Sequence, residues 1–370
     1  MRDTSASGDV FGAEEDLDIA TQADDPRSGR WRREFAALSY LDGMITAHMT
    51  ALLLVAVVGL GCVSFLIGPA RLGAGALIAG LFSTHGVASV IAREIRLPRT
   101  LLAFAIGAAL GASGAALQGL FRNPLAEPGV TGVTSTAGLG AVLALYFGFA
   151  SLSAFIVPAF AIVGASASAA VLYLLSRTGA GATALVLAGV AIASFATALT
   201  ALALSLAPNP YAMSEMVHWM MGSLKDVTIS DLVLTAPLMA IGVAILLTTG
   251  RGLDALVLGE EAAESLGIDM HRVRRRVIVG VALATGAATA AAGAVSFVGL
   301  VVPHLLRRHY GYEPARLLWP SALGGAVLVS AADIAVRLVS PDEQLRLGVL
   351  TALLGAPFFV ALILRLRREQ

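Results

Sequence analysis

Residues 93–99 read REIRLPR, three guanidinium groups within seven residues, with Pro98 between the last two. Guanidinium groups make forked, charge-assisted hydrogen bonds to carboxylates, which orient a partner as well as attract it. Pro98 fixes the local backbone and so helps hold Arg96 and Arg99 in place. A second charged group, Asp333 with Arg337, stands at i,i+4 spacing with the acid on the N-terminal side, the favourable order in a helix. The third concentration is the stretch 250–276, GRGLDALVLGEEAAESLGIDMHRVRRR. Its first half reads as a short amphipathic helix, Leu256, Leu258 and Ala262 apolar against Glu260, Glu261 and Glu264. Gly267 interrupts it. Three glutamates disfavour contact with an anionic leaflet, so this stretch reads as a contact for a protein partner.

Other chemistry is missing from the sequence. A phosphate-binding GxxxxGK[ST] loop needs a lysine to reach the phosphates, and the single lysine, Lys225, sits between Leu224 and Asp226. Any ATP and magnesium must therefore be held by another subunit, and no cofactor is expected on this chain. No zinc spacing occurs: His304 has Arg308 four residues on, and an interfacial role suits it better. No nucleophile–base pair stands at membrane depth, so no catalytic residue is assigned. Acids within the spans are few, which weighs against an ion-coupled secondary carrier, the alternative of a different class. The lone cysteine, Cys62, excludes an intrachain disulfide and reads as packing.

The elements that must position these groups are membrane helices. The chain of 370 residues is 57% hydrophobic and 14% charged, against roughly 25% charged in soluble domains. Only a polytopic, all-α membrane protein accommodates that composition. Apolar runs of spanning length lie near 44–68, 100–120, 130–150, 152–175, 183–207, 229–249, 315–338 and 345–365. The run 277–306 is too long for one span and basic at both ends, so it should fold back as two short helices. That predicts ten spans with both termini on one side. With the N-terminus inside, eighteen of the 25 basic residues are cytoplasmic and seven external, a clear positive-inside bias. The arginines of REIRLPR belong to the external minority. Segment 1–42, acidic first and basic at its end, reads as a disordered cytoplasmic tail, leaving 43–370 as the membrane domain. Gly107 and Gly111 have the small-xxx-small spacing of closely packed helices.

RLPRTLLAFAIGAALGASGAALQGLFRNPLAEPGVTGVTS (96–135) resembles the signature region of the FecCD family, permease subunits of binding-protein-dependent ABC importers for iron chelates, haem and cobalamin. The likeness continues through LDALVLGEEAAESLGI (253–268), SFVGLVVPHLLRR (296–308) and LGVLTALLGAPFFVALILR (347–365). It implies ten helices in the permease fold of vitamin B12 and iron-chelate importers. It also implies a homodimer in the bacterial inner membrane, two ATP-binding cassette subunits, and a periplasmic or lipid-anchored substrate-binding protein. No nucleic acid is implied. The cargo expected is an iron chelate, siderophore or haem, with cobalamin as the alternative. By the same resemblance, Glu260, Glu261, Leu266 and Gly267 contact the ATPase. Asn123 and Leu125 stand at the cytoplasmic gate, and the helix beginning at Thr183 lines the pathway. Arg96, Arg99 and Arg337 receive acidic residues of the binding protein. Arg93, beside Glu94, could do no more than anchor to lipid phosphates.

Overall fold

The computed structural model describes residues 26–70, 72–340 and 345–366, leaving aside the side chains of 26–42, 363, 365 and 366. The acidic segment 1–25, with its expected disorder, lies outside the described residues. Contacts divide the chain into Met1–Ala51 and Leu52–Gln370. The first unit carries the beginning of helix α1 (Pro26–Leu66), which starts well before the expected boundary at residue 43. No proline follows Pro26 within the helix, and a single glycine such as Gly43 costs only about 1 kcal/mol relative to alanine, too little to end it there.

Within the second unit the helices are α2 (Ala74–Phe82), α3 (Val87–Leu120), α4 (Val133–Tyr146), α5 (Ile156–Arg177), α6 (Ala182–Ser205) and α7 (Pro210–Met220). There follow α8 (Ile229–Leu247), α9 (Gly250–Val257), α10 (Glu260–Ser265), α11 (Met270–Ala292), α12 (Val298–Tyr310), α13 (Pro314–Val339) and α14 (Leu347–Leu366). Seven helices are long and apolar enough to cross a membrane: α1 from Gly43, α3, α5, α6, α8, α11 and α13. Two shorter apolar stretches, α4 and Leu347–Leu362 of α14, bring the described residues near the expected ten. Among the described residues there is no strand.

Helix α3 is the buried centre, and its partners come close because its packing face is glycine. A Cβ on Gly107 would fall on the carbonyl of Gly325, and one on Gly111 on the carbonyl of Ser321. The axes of α3 and α13 therefore approach through backbone contact, the small-residue geometry of membrane interfaces. Gly114 meets Gly299 in the same way, which sets the start of α12 against the middle of α3. Farther along, Gln118 and Arg307 join the ends of α3 and α12. The fold-back expected within 277–306 is present, but its limbs are unequal: α11 is long enough to cross the membrane, and only α12 is a short, half-length return. Its entry is marked by Phe297, a non-glycine residue in the left-handed region at φ 68°.

Helix α1 from Leu52 onward is peripheral, with Leu52, Val55 and Val58 exposed. Cys62 is exposed too and fills no core position. An apolar surface of that kind suits contact with lipid.

Candidate functional site

Three of the arginines expected to face outward are buried: Arg96 is 4% exposed, Arg99 7% and Arg337 8%. The cause is the end of α1. The last carbonyls of a helix have no intrahelical donor, and leaving them unpaired in an apolar setting is costly. Arg96 donates from Nη1 to the carbonyls of Phe65 (3.0 Å) and Leu66 (2.7 Å), and from Nη2 to that of Ala70 (2.6 Å). Arg337 donates to the carbonyls of Ser64 (2.8 Å) and Ile67 (2.9 Å) and to Oγ of Ser64 (2.6 Å). These two side chains cap α1 from α3 and from α13.

Between them lies Asp333, 1% exposed. The expected pairing with Arg337 is present, at 2.6 Å, but the carboxylate also receives Arg99, whose Nε and Nη2 reach Oδ1 at 3.1 and 3.0 Å. Two buried cations on one buried anion make a tie among α1, α3 and α13. The three arginines expected to dock the binding protein are thus engaged within the subunit, Arg99 and Arg337 on Asp333 and Arg96 on the carbonyls that end α1. Arg93, by contrast, is exposed.

At the opposite end of the bundle, the expected single amphipathic helix of the 250–276 stretch is two helices. Gly259, at φ 108°, turns the chain between α9 and α10, and Gly267, at φ 79°, ends α10. Both are left-handed positions that glycine adopts without a Cβ penalty. The apolar side of this unit is shared out unevenly. Leu256 and Ala263 are buried, whereas Leu258 and Leu266 are 69% and 65% exposed. Glu261 and Glu264 are exposed beside them. Glu260 behaves differently, since its carboxylate accepts from Nη2 of the buried Arg274 and pins α10 to α11. Asp254 accepts the backbone N–H of Ala315 at 2.8 Å and so caps α13 from α9. The element that presents Leu258, Glu261 and Leu266 is thereby fixed to the bundle at both of its helices.

Asn123 closes an Asx turn, its Oδ1 accepting the N–H of Leu125 at 2.9 Å. It borders a cavity of 230 Å³ with Gln118, Arg122 and Arg307. Thr183 is exposed at the start of α6, whose Leu187 and Phe195 are exposed as well. His304 stands with its ring 5.9 Å from that of Phe358, edge to face. Among the described residues no group of three potential metal ligands occurs.

Several residues here were invisible to motif reading. Gln118 donates to the carbonyl of Gly299 (3.1 Å) and accepts from Arg307 (2.8 Å). Glu127, in the connection between α3 and α4, accepts the N–H of Phe297; burial pushes its carboxyl above the usual carboxylate range against that hydrogen bond. Its placement between Ala126 and Pro128, an acid inside an otherwise apolar turn, was the available signal. Asp269 accepts the N–H of Arg272 at the start of α11, which holds its carboxyl below the ordinary range. At the arginine end, a cavity of 580 Å³ gathers Tyr211, Glu215, His218, Trp219, Asp231 and Arg346 from segments distant in sequence.

A close-packed bundle of apolar helices, with an exposed acidic-and-apolar projection at one end, is the architecture of a multi-pass membrane protein. Residues 52–365 match the model of the FecCD transport family, and the chain belongs to that family. It is 42% identical to the vitamin B12 import system permease of Vibrio cholerae over 74% of this chain and 82% of that one. It is 39% identical to the iron(III) dicitrate transport system permease of Escherichia coli, over 74% and 85% of the two chains. The hemin transport system permease of Yersinia pestis is 38% identical over 75% of this chain and 84% of its own. Among solved structures, a transporter described as of the metal-chelate ABC type, in an inward-facing conformation, superimposes with a TM-score of 0.76. It shares 30% identity and is matched over 87% of this chain and 99% of its own. The chain is accordingly the permease subunit of an ABC importer, and its family is one of transport proteins and not of enzymes.

Proposed function

We propose that this permease takes up an iron chelate, a siderophore complex or haem, through the inner membrane as a homodimer, driven by ATP hydrolysis on two partner subunits. The likeness to the metal-chelate transporter over nearly its whole length is the observation that carries this reading. A cobalamin cargo is the second reading, favoured by the vitamin B12 permease at 42% identity. Both are bulky metal chelates, which suits a pathway formed between two copies of the chain. The exposed apolar face of α6, from Thr183 through Leu187 and Phe195, supports its place along that pathway. Asn123 and Leu125 stand at the inner mouth.

The α9–α10 projection is the ATPase contact in this reading, with Glu261, Leu266 and the Gly267 turn at its tip and Leu258 beside them. Two exposed leucines flanked by carboxylates offer an apolar anchor with a charged rim, the anatomy of a specific protein interface. Glu260 supports that surface from behind. This end faces the cytoplasm, and the end with the 580 Å³ cavity faces the substrate-binding protein.

Proteoliposomes holding the permease with its ATPase, supplied with the cognate binding protein, test the proposal. ATP-dependent uptake of labelled ferric siderophore or haemin, exceeding that of cyanocobalamin, is expected. Uptake of cobalamin alone selects the second reading. Uptake that follows an ion gradient and ignores ATP overturns both.

A further inference from the structure

We infer that a groove on the outer side of α5, α8 and α11 is a binding site for one anionic glycerophospholipid. Two cavities meet there. The first, 390 Å³, lies at the last turn of α5 and the first turns of α11, lined by Tyr173, Ser176, Arg177, His271, Arg272 and Arg275, with Asp269 at its edge. The second, 430 Å³, runs along the same helices toward the membrane centre and is walled by Ile162, Ala169, Ala170, Leu238, Val279 and Ala287. Tyr173 and Arg275 line both, so the polar cavity opens directly into the apolar one.

The charge balance selects an anion. Arg272 leans on Asp269 at 3.5 Å. Among the described residues neither Arg177 nor Arg275 has a carboxylate within salt-bridge distance, and both are exposed. Two uncompensated guanidinium groups thus converge where a headgroup phosphate would lie, with geometry suited to its oxygens. The length selects a lipid over a free anion. From Arg275 to Ala287 α11 advances about 18 Å at 1.5 Å per residue, close to half of a roughly 30 Å hydrocarbon core. One acyl layer fits that depth. The small residues Ala169, Ala170 and Ser166 on α5 leave a channel where larger side chains would close the helix–helix gap. A generic excess of positive charge facing the cytoplasm would place arginines at helix ends but would require neither the channel nor its continuity with them.

The test uses the full chain purified with its ATPase, stripped of lipid, then offered phosphatidylglycerol or phosphatidylcholine of equal chain length and examined by native mass spectrometry. Retention of phosphatidylglycerol in preference to phosphatidylcholine is expected. Arg177→Gln with Arg275→Gln should lower retention of phosphatidylglycerol roughly 25-fold, about fivefold for each charge near the headgroup. Ala170→Trp, at an exposed position, should block both lipids while the arginines remain. Arg276→Gln, a neighbouring arginine outside both cavities, should change nothing. Equal retention of the two lipids overturns the inference, as does indifference to the double variant. Displacement by millimolar inorganic phosphate would make this a free-anion site, and binding only to permease lacking its ATPase would make it part of the subunit interface. Either outcome also overturns it, and none depends on which chelate is transported.

Discussion

Substituting Asn for Asp333 removes the one anion shared by Arg99 and Arg337 while keeping the side chain's volume. Arg337 would also lose its counter-charge but retain its bonds to the carbonyls of Ser64 and Ile67, which soften the loss there. Arg99 would face a neutral amide oxygen in place of the carboxylate and lose the charge that its fork now meets. Removing one partner of a buried ion pair costs about 3–5 kcal/mol, and the loss should fall mainly on Arg99. The double variant Arg99→Leu with Asp333→Leu deletes that stranded charge together with its anion. It should therefore be more stable than Asp333→Asn alone, with a coupling of about 0.5–3 kcal/mol between the two positions. Thermal unfolding of purified protein in detergent, followed by size-exclusion fluorescence, measures the order of the three. An unchanged midpoint for Asp333→Asn would refute the tie among α1, α3 and α13. So would an Arg99→Glu variant that folds normally yet loses only its affinity for the binding protein, which would restore the docking role.

Gly267→Trp should uncouple ATP hydrolysis from transport or release the ATPase, whereas Gly267→Asn, tolerant of positive φ, should retain most activity; co-purification and uptake distinguish them. Gly111→Leu drives a side chain into the carbonyl of Ser321, and overpacking of this kind costs about 1–3 kcal/mol or more, visible as lost monodisperse expression. For Glu127, a carboxyl raised above its ordinary value by burial binds protons more tightly in the folded than in the unfolded chain. Its contribution is therefore fully present below the unfolded value and declines as pH rises through the folded one. Glu127→Gln should flatten that part of the stability–pH curve, read as unfolding midpoints from pH 4 upward. Leu258→Asp with Leu266→Asp should abolish ATPase binding and leave the unfolding midpoint unchanged, since both side chains are exposed.

The chain's hydrophobic pattern by itself determines the membrane class, the approximate positions of most of its spans and the existence of a return within 277–306, because span length and flanking charge are properties of contiguous sequence. The i,i+4 pairing of Asp333 with Arg337 was legible for the same reason. The tertiary structure alone decides what the arginines do. Arg99 meets an acid 234 residues away, and Arg337 meets Ser64 across 273 residues. From sequence, three basic residues before a span look like a surface; in the folded chain Arg93 is exposed, while Arg96 meets the carbonyls that end α1 and Arg99 meets Asp333. The division of the acidic stretch at Gly259 was equally hidden, since a glycine within an amphipathic pattern becomes a turn only when the buried faces on either side, Leu256 and Ala263, demand different directions. Local periodicity carries the elements. The choice of partner for a buried charge belongs to helices brought together from distant parts of the chain, where the cost of leaving a polar group unpaired is largest.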